Sequence, residues 1–274
     1  MANIRMVVGS LADQATLSAT HYVGAMLPSN LQLSRKENIW RSTSIESVSI
    51  SGTFSVAQAL NCFVLAGHNI SSAGLIRLKL RLNGQVIYDS GDYAPANPIP
   101  AGIWRAGVDP FGSTYDDQLN TKMVRIWLPE LMVTDEFEVT IQDPNNPDGY
   151  VEASRLLMGQ FITPDWNLSF GGGVNWVDTS QHILMEGGCL ETAKGILRRQ
   201  FTFSLDHLSE SDRIRLEVDL AMRGKSTDVF VSLYPEEGGM KEVTHMMIAR
   251  RDNDLHIPHV THSNWASQIT FIES

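Results

Sequence analysis

Basic residues are scarce in this sequence. Lysine and arginine number 21 against 31 aspartates and glutamates, a formal net charge of -10 over 274 residues. A surface built to hold nucleic acid needs clustered Lys and Arg, and the longest basic runs here are the pairs Arg198-Arg199 and Arg250-Arg251, so nucleic acid is not an expected partner. Long apolar runs are missing too. No window approaches the roughly 18 uninterrupted apolar residues of a membrane span, so membrane insertion is not expected. The opening "MANIRMVVGSLADQ" carries one Arg and only a brief apolar patch, which argues against a secretory signal. Cysteine is limited to Cys62 ("LNCFVL") and Cys189 ("GGCLE"). They allow at most one disulfide, and the expectation is two buried thiols acting as small hydrophobes.

Catalytic signatures are equally thin. There is no G-x-S-x-G elbow, and neither cysteine sits in a Cys/His motif. The glycines of "GGGV" (171–174) lack the Lys-Ser/Thr ending of a phosphate loop. His256, His259 and His262 are spaced by three, which alternates faces on a strand, and Pro258 forbids an ordinary helix; they read as loop histidines rather than metal ligands. "DPNNPDG" (143–149) holds oxygen ligands but not EF-hand spacing, and suits a turn between strands. The carboxylates Asp116-Asp117, Glu136, Glu138 and Glu236-Glu237 read as a solvated acidic surface, since a glycosidase needs two facing across a cleft. No enzyme, cofactor or metal site is expected.

What the sequence does have is period two. In "GLIRLKLRLNG", Ile76, Leu78, Leu80 and Leu82 alternate with Arg77, Lys79 and Arg81, the pattern of a strand with one buried face. Asn83-Gly84 then suits a type I′ turn into "QVIYDSG". Alternation recurs at Val48, Ile50, Phe54 and Val56; Val124, Ile126 and Leu128; and Phe137, Val139 and Ile141. It continues at Phe201, Phe203 and Leu205 and at Ile214, Leu216, Val218 and Leu220, with further strands at 229–233 and 268–272. Residues 10–26 are expected as a short helix and "LSESDR" (208–213) as a helical turn capped by Ser209. The fold class is therefore all-β, a jelly-roll β-sandwich over 1–165 with a smaller β-rich domain or extension over 166–274. The polar knot Gly67-His68-Asn69, with Ser71 and Ser72, reads as a device that turns the chain.

Two long loops carry aromatics. Trp104, Phe111 and Tyr115 share residues 92–122; Trp166, Phe170 and Trp176 share a glycine-rich stretch. Exposed aromatics serve for stacking on sugar rings or packing at protein interfaces, and equally for closing the open ends of a sandwich. The candidate glycan or interface residues are Trp104, Phe111, Tyr115 and Trp176.

The order Trp40-Arg41, "GHNIS", the alternating strand and "IQDPNNPDGYVEASRLLMGQFITP" resembles the galactose-binding-like (discoidin-type) sandwiches of virion proteins at the tail tip or baseplate of tailed bacteriophages. The resemblance covers roughly residues 38–165, with Asp143 through Gly159 as its fullest segment. It implies a non-enzymatic structural role in a virion assembled in the host cytoplasm, as a homo-oligomer contacting neighbouring tail proteins. The alternative is a carbohydrate-binding module reading a host surface glycan, with Trp104, Tyr115 and Trp176 as its platform. A glycan hydrolase ranks third.

Overall fold

The structure, a computed structural model, describes residues 2–71, 73–95, 123–237 and 239–274. In chain order the strands begin with β1 (Arg5–Val8), β2 (Thr16–Ala19), β3 (Trp40–Arg41), β4 (Val48–Ala66), β5 (Leu75–Leu82) and β6 (Gln85–Asp89). They continue with β7 (Met123–Gln142), β8 (Glu152–Ala153), β9 (Arg155–Gly159), β10 (Phe161–Ile162), β11 (Gly173–Asp178) and β12 (Gln181–Leu184). The last are β13 (Leu190–Ala193), β14 (Leu197–Leu208), β15 (Val229–Ser232), β16 (Met246–Arg251), β17 (His259–Thr261) and β18 (Asn264–Glu273). The helices α1 (Glu210–Arg215) and α2 (Gly239–Thr244) are short. The all-β sandwich class with a second β-rich region is the class observed.

Two compact units form. The first comprises Met1–Ala2, Val7–Phe161 and Tyr234–Met246; the second comprises Asn3–Met6, Ile162–Leu233 and Met247–Ser274. The first is built on the order β2-β4-β7-β5-β6, with β9 also paired to β4. Its backbone is the antiparallel pair β4–β7, which runs from Val48↔Ile141 to Ala66↔Met123 through register shifts at Thr53/Gln58 and Leu60/Cys62. Such shifts bend a sheet and increase its twist. That lets β4 pair β2 near one end and β9 near the other. The alternation read in the sequence supplies the core: Val48, Ile50, Ile76, Leu78, Leu80, Phe137, Val139 and Ile141 are all buried around Trp40 and Phe63. Asn83 (φ 51°) and Gly84 (φ 78°) both take positive φ, as a type I′ hairpin demands.

The polar knot is a structural tie. Asp143, fully buried, accepts from the Ser71 backbone N–H (2.7 Å), the Ser71 hydroxyl (2.6 Å) and the Asn146 amide (2.9 Å). Asn69 donates to the Tyr150 carbonyl and the Asp148 carboxyl, both at 2.9 Å, and accepts from the Glu152 N–H at 2.8 Å. Gly67 sits at φ 66°, and a Cβ there would lie 2.0 Å from the Ser154 hydroxyl, so only glycine fits. "GHNIS" and "DPNNPDGYVE" are thus two halves of one hydrogen-bonded turn.

Three expectations are corrected. Residues 10–26 form no α-helix: a 3-10 turn (Leu11–Gln14) leads into β2, which Ser18↔Ser51 and its neighbours pair to β4. Ile214, Leu216, Val218 and Leu220 lie not on a strand but on α1 and the π-helical turn Leu216–Ala221. Leu216 and Leu220, four residues apart, are buried, whereas Ile214 and Val218 are exposed. Apolar residues at every second position contain an i, i+4 pair as well, and the capping box at Ser209 selects the helix. Cys62 is buried as expected, but Cys189 is exposed; both are free thiols.

Asp143→Ala removes the acceptor for three donors at once, and we expect the first unit to lose about 3 kcal/mol in urea denaturation. On the β5–β6 hairpin, hydrogen bonds from Arg77 (2.7 and 2.6 Å) pull the Asp89 carboxyl down to about 2. Because the folded value lies below the unfolded one, this pairing supports the fold above the ordinary carboxylate range and is lost as pH falls through about 2. Carboxyl NMR should show that midpoint, and Arg77→Ala should return it toward the ordinary aspartate value.

Candidate functional site

In the second unit the strand order is β10-β1-β15-β16-β18-β14-β11, with β17 on β18. β14 and β18 pair in register from Gln200↔Ile272 to Leu205↔Ser267, then slip, resuming at Leu208↔Trp265. The slip is a bulge at Asp206 and His207. Bulges re-aim side chains at sheet margins, and here His207 turns outward between buried Leu205 and Leu208.

Three other segments meet this bulge. The first carries Trp166 and is tied on both sides of the residue. The Asn3 amide donates to the Pro164 (2.9 Å) and Asp165 (3.0 Å) carbonyls, and the Asp165 N–H donates to Asp212 at 3.1 Å. The Asn167 amide oxygen accepts from the N–H groups of Ile4 (3.1 Å) and Leu168 (2.9 Å). The second is the N-terminus of α1, where the Ser209 hydroxyl accepts from the Asp212 N–H and Asp212 accepts from the Ser209 N–H. The buried Asp212 therefore serves both the helix cap and the Trp166 segment. The third is the β17–β18 turn, where Ser263 holds φ 57° and the Asn264 amide donates to the Asp206 carbonyl at 3.1 Å.

Together Trp166, His207, Leu208, Ser209, Ser263 and Asn264 line an open pocket of about 310 Å³, at the small end of the ligand-pocket range. Trp166 is 66% exposed, with His207 set edge-on at 6.1 Å between centroids. A large apolar ring held on a tied backbone while its face meets solvent is a preorganised platform. Around it lie an imidazole, an amide and two hydroxyls. Among the described residues that line it, none is a carboxylate, lysine or arginine. Nearby, Trp265 is engaged by its own chain: His259 stacks on it at 4.9 Å, and the Arg213 guanidinium lies 5.3 Å from its ring.

Of the residues expected at a contact site, Trp104, Phe111 and Tyr115 lie outside the described residues. Trp176 is exposed on β11, the edge strand beside β14, and does not line the pocket. Phe170 is fully exposed. His256, His259 and His262 are exposed, and among the described residues no group of three or more His, Cys, Asp or Glu is arranged to hold a metal. Sequence reasoning noted Trp166 as a loop aromatic and Ser209 as a cap but chose neither as a site residue, and missed His207, Ser263 and Asn264. A signal existed: the Phe201, Phe203, Leu205 alternation skips to Leu208, three residues on, which is the spacing a bulge produces.

No family model matches the chain, and no curated protein matches it. Among solved structures it is similar to the family 32 carbohydrate-binding module of C. perfringens NanJ in complex with galactose (TM-score 0.39, 12% identity, 56% of this chain and 98% of that one). It is also similar to the lectin domain of lectinolysin complexed with Lewis B antigen (TM-score 0.39, 6% identity, 55% and 96%). A third is a chitosan-binding module 1 from a Paenibacillus sp. IK-5 chitosanase/glucanase (TM-score 0.39, 11% identity, 56% and 98%). At these scores and identities the likenesses carry nothing about what the pocket holds, which its own geometry must decide.

Removing Asp212 tests how the platform is held. Asp212→Ala deletes the capping box and the acceptor of the Asp165 N–H, and we expect a loss of about 2 kcal/mol. Hydrogen exchange at the Asp165 amide, slow in the parent chain, should accelerate with it.

Proposed function

We propose that this protein is a non-enzymatic glycan-binding module that takes one uncharged sugar ring against Trp166. The observation that carries the reading is the exposed Trp166 face on a backbone tied at Asp165 and Asn167, set over a pocket of amide, imidazole and hydroxyl groups. A pyranose offers one apolar face of C–H groups and a rim of hydroxyls. The apolar face suits an indole, and the rim suits Asn264, Ser209, Ser263 and His207. The absence of carboxylates from the lining supports binding without hydrolysis.

Placement in a phage tail, with neighbouring tail proteins as partners and the virion as location, is the second reading. Of the residues that carry that resemblance (Trp40-Arg41, "GHNIS", the alternating strand and Asp143 through Gly159), Asn69, Ser71 and Asp143 to Glu152 are engaged in the turn of the first unit. They support a sandwich more directly than a virion. What favours a protein contact is a separate set of exposed apolar residues, Trp176, Ile183, Leu184, Leu190, Ile196 and Leu197. A tail-tip protein that grips a host glycan would satisfy both readings.

A glycan array probed with the full chain should give hits confined to one terminal sugar class. Against the best of these, Trp166→Ala should weaken binding about 30-fold, the loss of a central aromatic anchor worth roughly 2 kcal/mol. Trp176→Ala should leave affinity unchanged. An array silent at high protein concentration, or Trp166→Ala binding as well as the parent, refutes the assignment.

A further inference from the structure

Phe170 stands apart from its own kind. The other described phenylalanines are buried or half-buried, whereas this ring is fully exposed. A phenyl has no polar handle, so leaving it in water forgoes what burial would give the fold. The backbone beneath it is nevertheless held. The Ser169 N–H donates to the Ser204 carbonyl at 2.8 Å, and Asn167 just before it accepts from the Ile4 N–H. On the other side Gly171 takes φ 99°. A Cβ on Gly172 would lie 3.0 Å from the Phe203 Cβ, so the turn presses against β14. Phe170 is presented on a fixed turn, not at a loose tip.

The ring also has a defined relation to the pocket. Residues 166–173 follow β14 backwards: Trp166 lies beside His207, Ser169 beside Ser204, and Gly173 pairs with Thr202. From His207 to Ser204 a strand covers about 10 Å, and the chain from Trp166 to Phe170 can span at most about 14 Å. Along that path β14 turns Thr202 and Ser204 away from the core that takes Phe201, Phe203 and Leu205. Opposite them β18 sets Thr270 and Gln268. From Arg198 to Leu208, β14 adds no exposed large apolar side chain. Phe170 is thus a lone ring at the end of a track of hydroxyl and amide groups.

We propose that the glycan held at Trp166 is an oligosaccharide and that Phe170 is its second platform, stacking on a sugar further along the chain. This rests on the glycan-binding reading above and extends it from one ring to a chain. A protein partner fits the place less well. An interface needs a contiguous apolar core, and this single ring is flanked by Ser169 and three glycines. The separation of the two rings exceeds one pyranose and lies within reach of a trisaccharide. Sugars between them would meet Ser204, Thr202 and their neighbours, which suit a hydroxyl-rich chain. Both rings ride on tied backbone of one segment, so the chain finds them without first ordering the protein.

The test is calorimetric titration of the full chain with neutral glucose, galactose, mannose and N-acetylglucosamine oligosaccharides, each as a series of one to four units. In the series that binds, affinity should rise about tenfold from monosaccharide to trisaccharide, the worth of one more stacked ring. Phe170→Ala should abolish that rise and leave the monosaccharide's affinity at the parent value. The ring is wholly exposed, so the variant should also keep the parent's thermal midpoint. Phe170→Trp should restore the rise, and Trp166→Ala should weaken every length alike. Trp176, opposite Arg199 and roughly 25 Å along β14 from His207, should be replaceable by Ala without effect on either. Silence of every series overturns this proposal together with the glycan-binding reading. A series that binds without gain in length, or a gain that survives Phe170→Ala, overturns the second platform and leaves the pocket standing.

Discussion

The first unit depends on the pairing of β4 with β7. Two strands of 19 and 20 residues, longer than most strands in globular proteins, cannot stay straight and also enclose a core. The register shifts at Thr53/Gln58 and Leu60/Cys62 resolve this by bending the pair, so that each half meets different neighbours. The bend also explains burial that strict alternation does not. Val56, on phase with Val48 and Ile50, is exposed at the first shift, while Cys62, Phe63, Val64 and Leu65 beyond the second are all buried, in the stretch where β4 pairs β7 and β9. The knot around Asp143 then binds the turn after β4 to the turn after β7, closing the ends that the bend brings together.

In the second unit the same physical device, a bulge, serves a different end. The slip between Leu205 and Leu208 does not help to fill the core; it takes His207 out of it. Beside it Asp212, almost wholly buried, is satisfied by the N–H groups of Ser209 and Asp165. One carboxyl thus caps α1 and fixes the backbone before Trp166. Ordering an indole in water gains nothing for the fold, since its face remains exposed. The ties around it reduce what a ligand would have to spend on ordering, and that is the physical content of preorganisation.

Much of the fold was legible because period two is a strong signal when one face of a strand is dry. Ile76 to Leu82 with Asn83-Gly84 read correctly down to the turn type, and Ser209 read correctly as a cap. Legibility failed where one pattern fits two structures. Ile214 to Leu220 satisfies both a strand and an i, i+4 helix stripe, and only the cap three residues upstream of Asp212 separates them. It failed again where tertiary pairing overrides local preference: Thr16–Ala19 is a strand because β4 offers an edge. The pocket was illegible for a further reason. Trp166, His207 and Asn264 come from segments tens of residues apart, and nothing local to any of them announces the other two.

The exposed aromatic residues therefore divide by what surrounds them rather than by the loops they share in sequence. Trp166 stands among hydrogen-bonding side chains, on a backbone held at Asp165 and Asn167, with an imidazole at its edge. Those surroundings suit a small polar ligand, which needs few and well-placed partners. Trp176 stands instead exposed on the edge strand β11, paired opposite Arg199 of β14. The two tryptophans lie ten positions apart in sequence, yet only Trp166 has hydrogen-bonding side chains gathered around it.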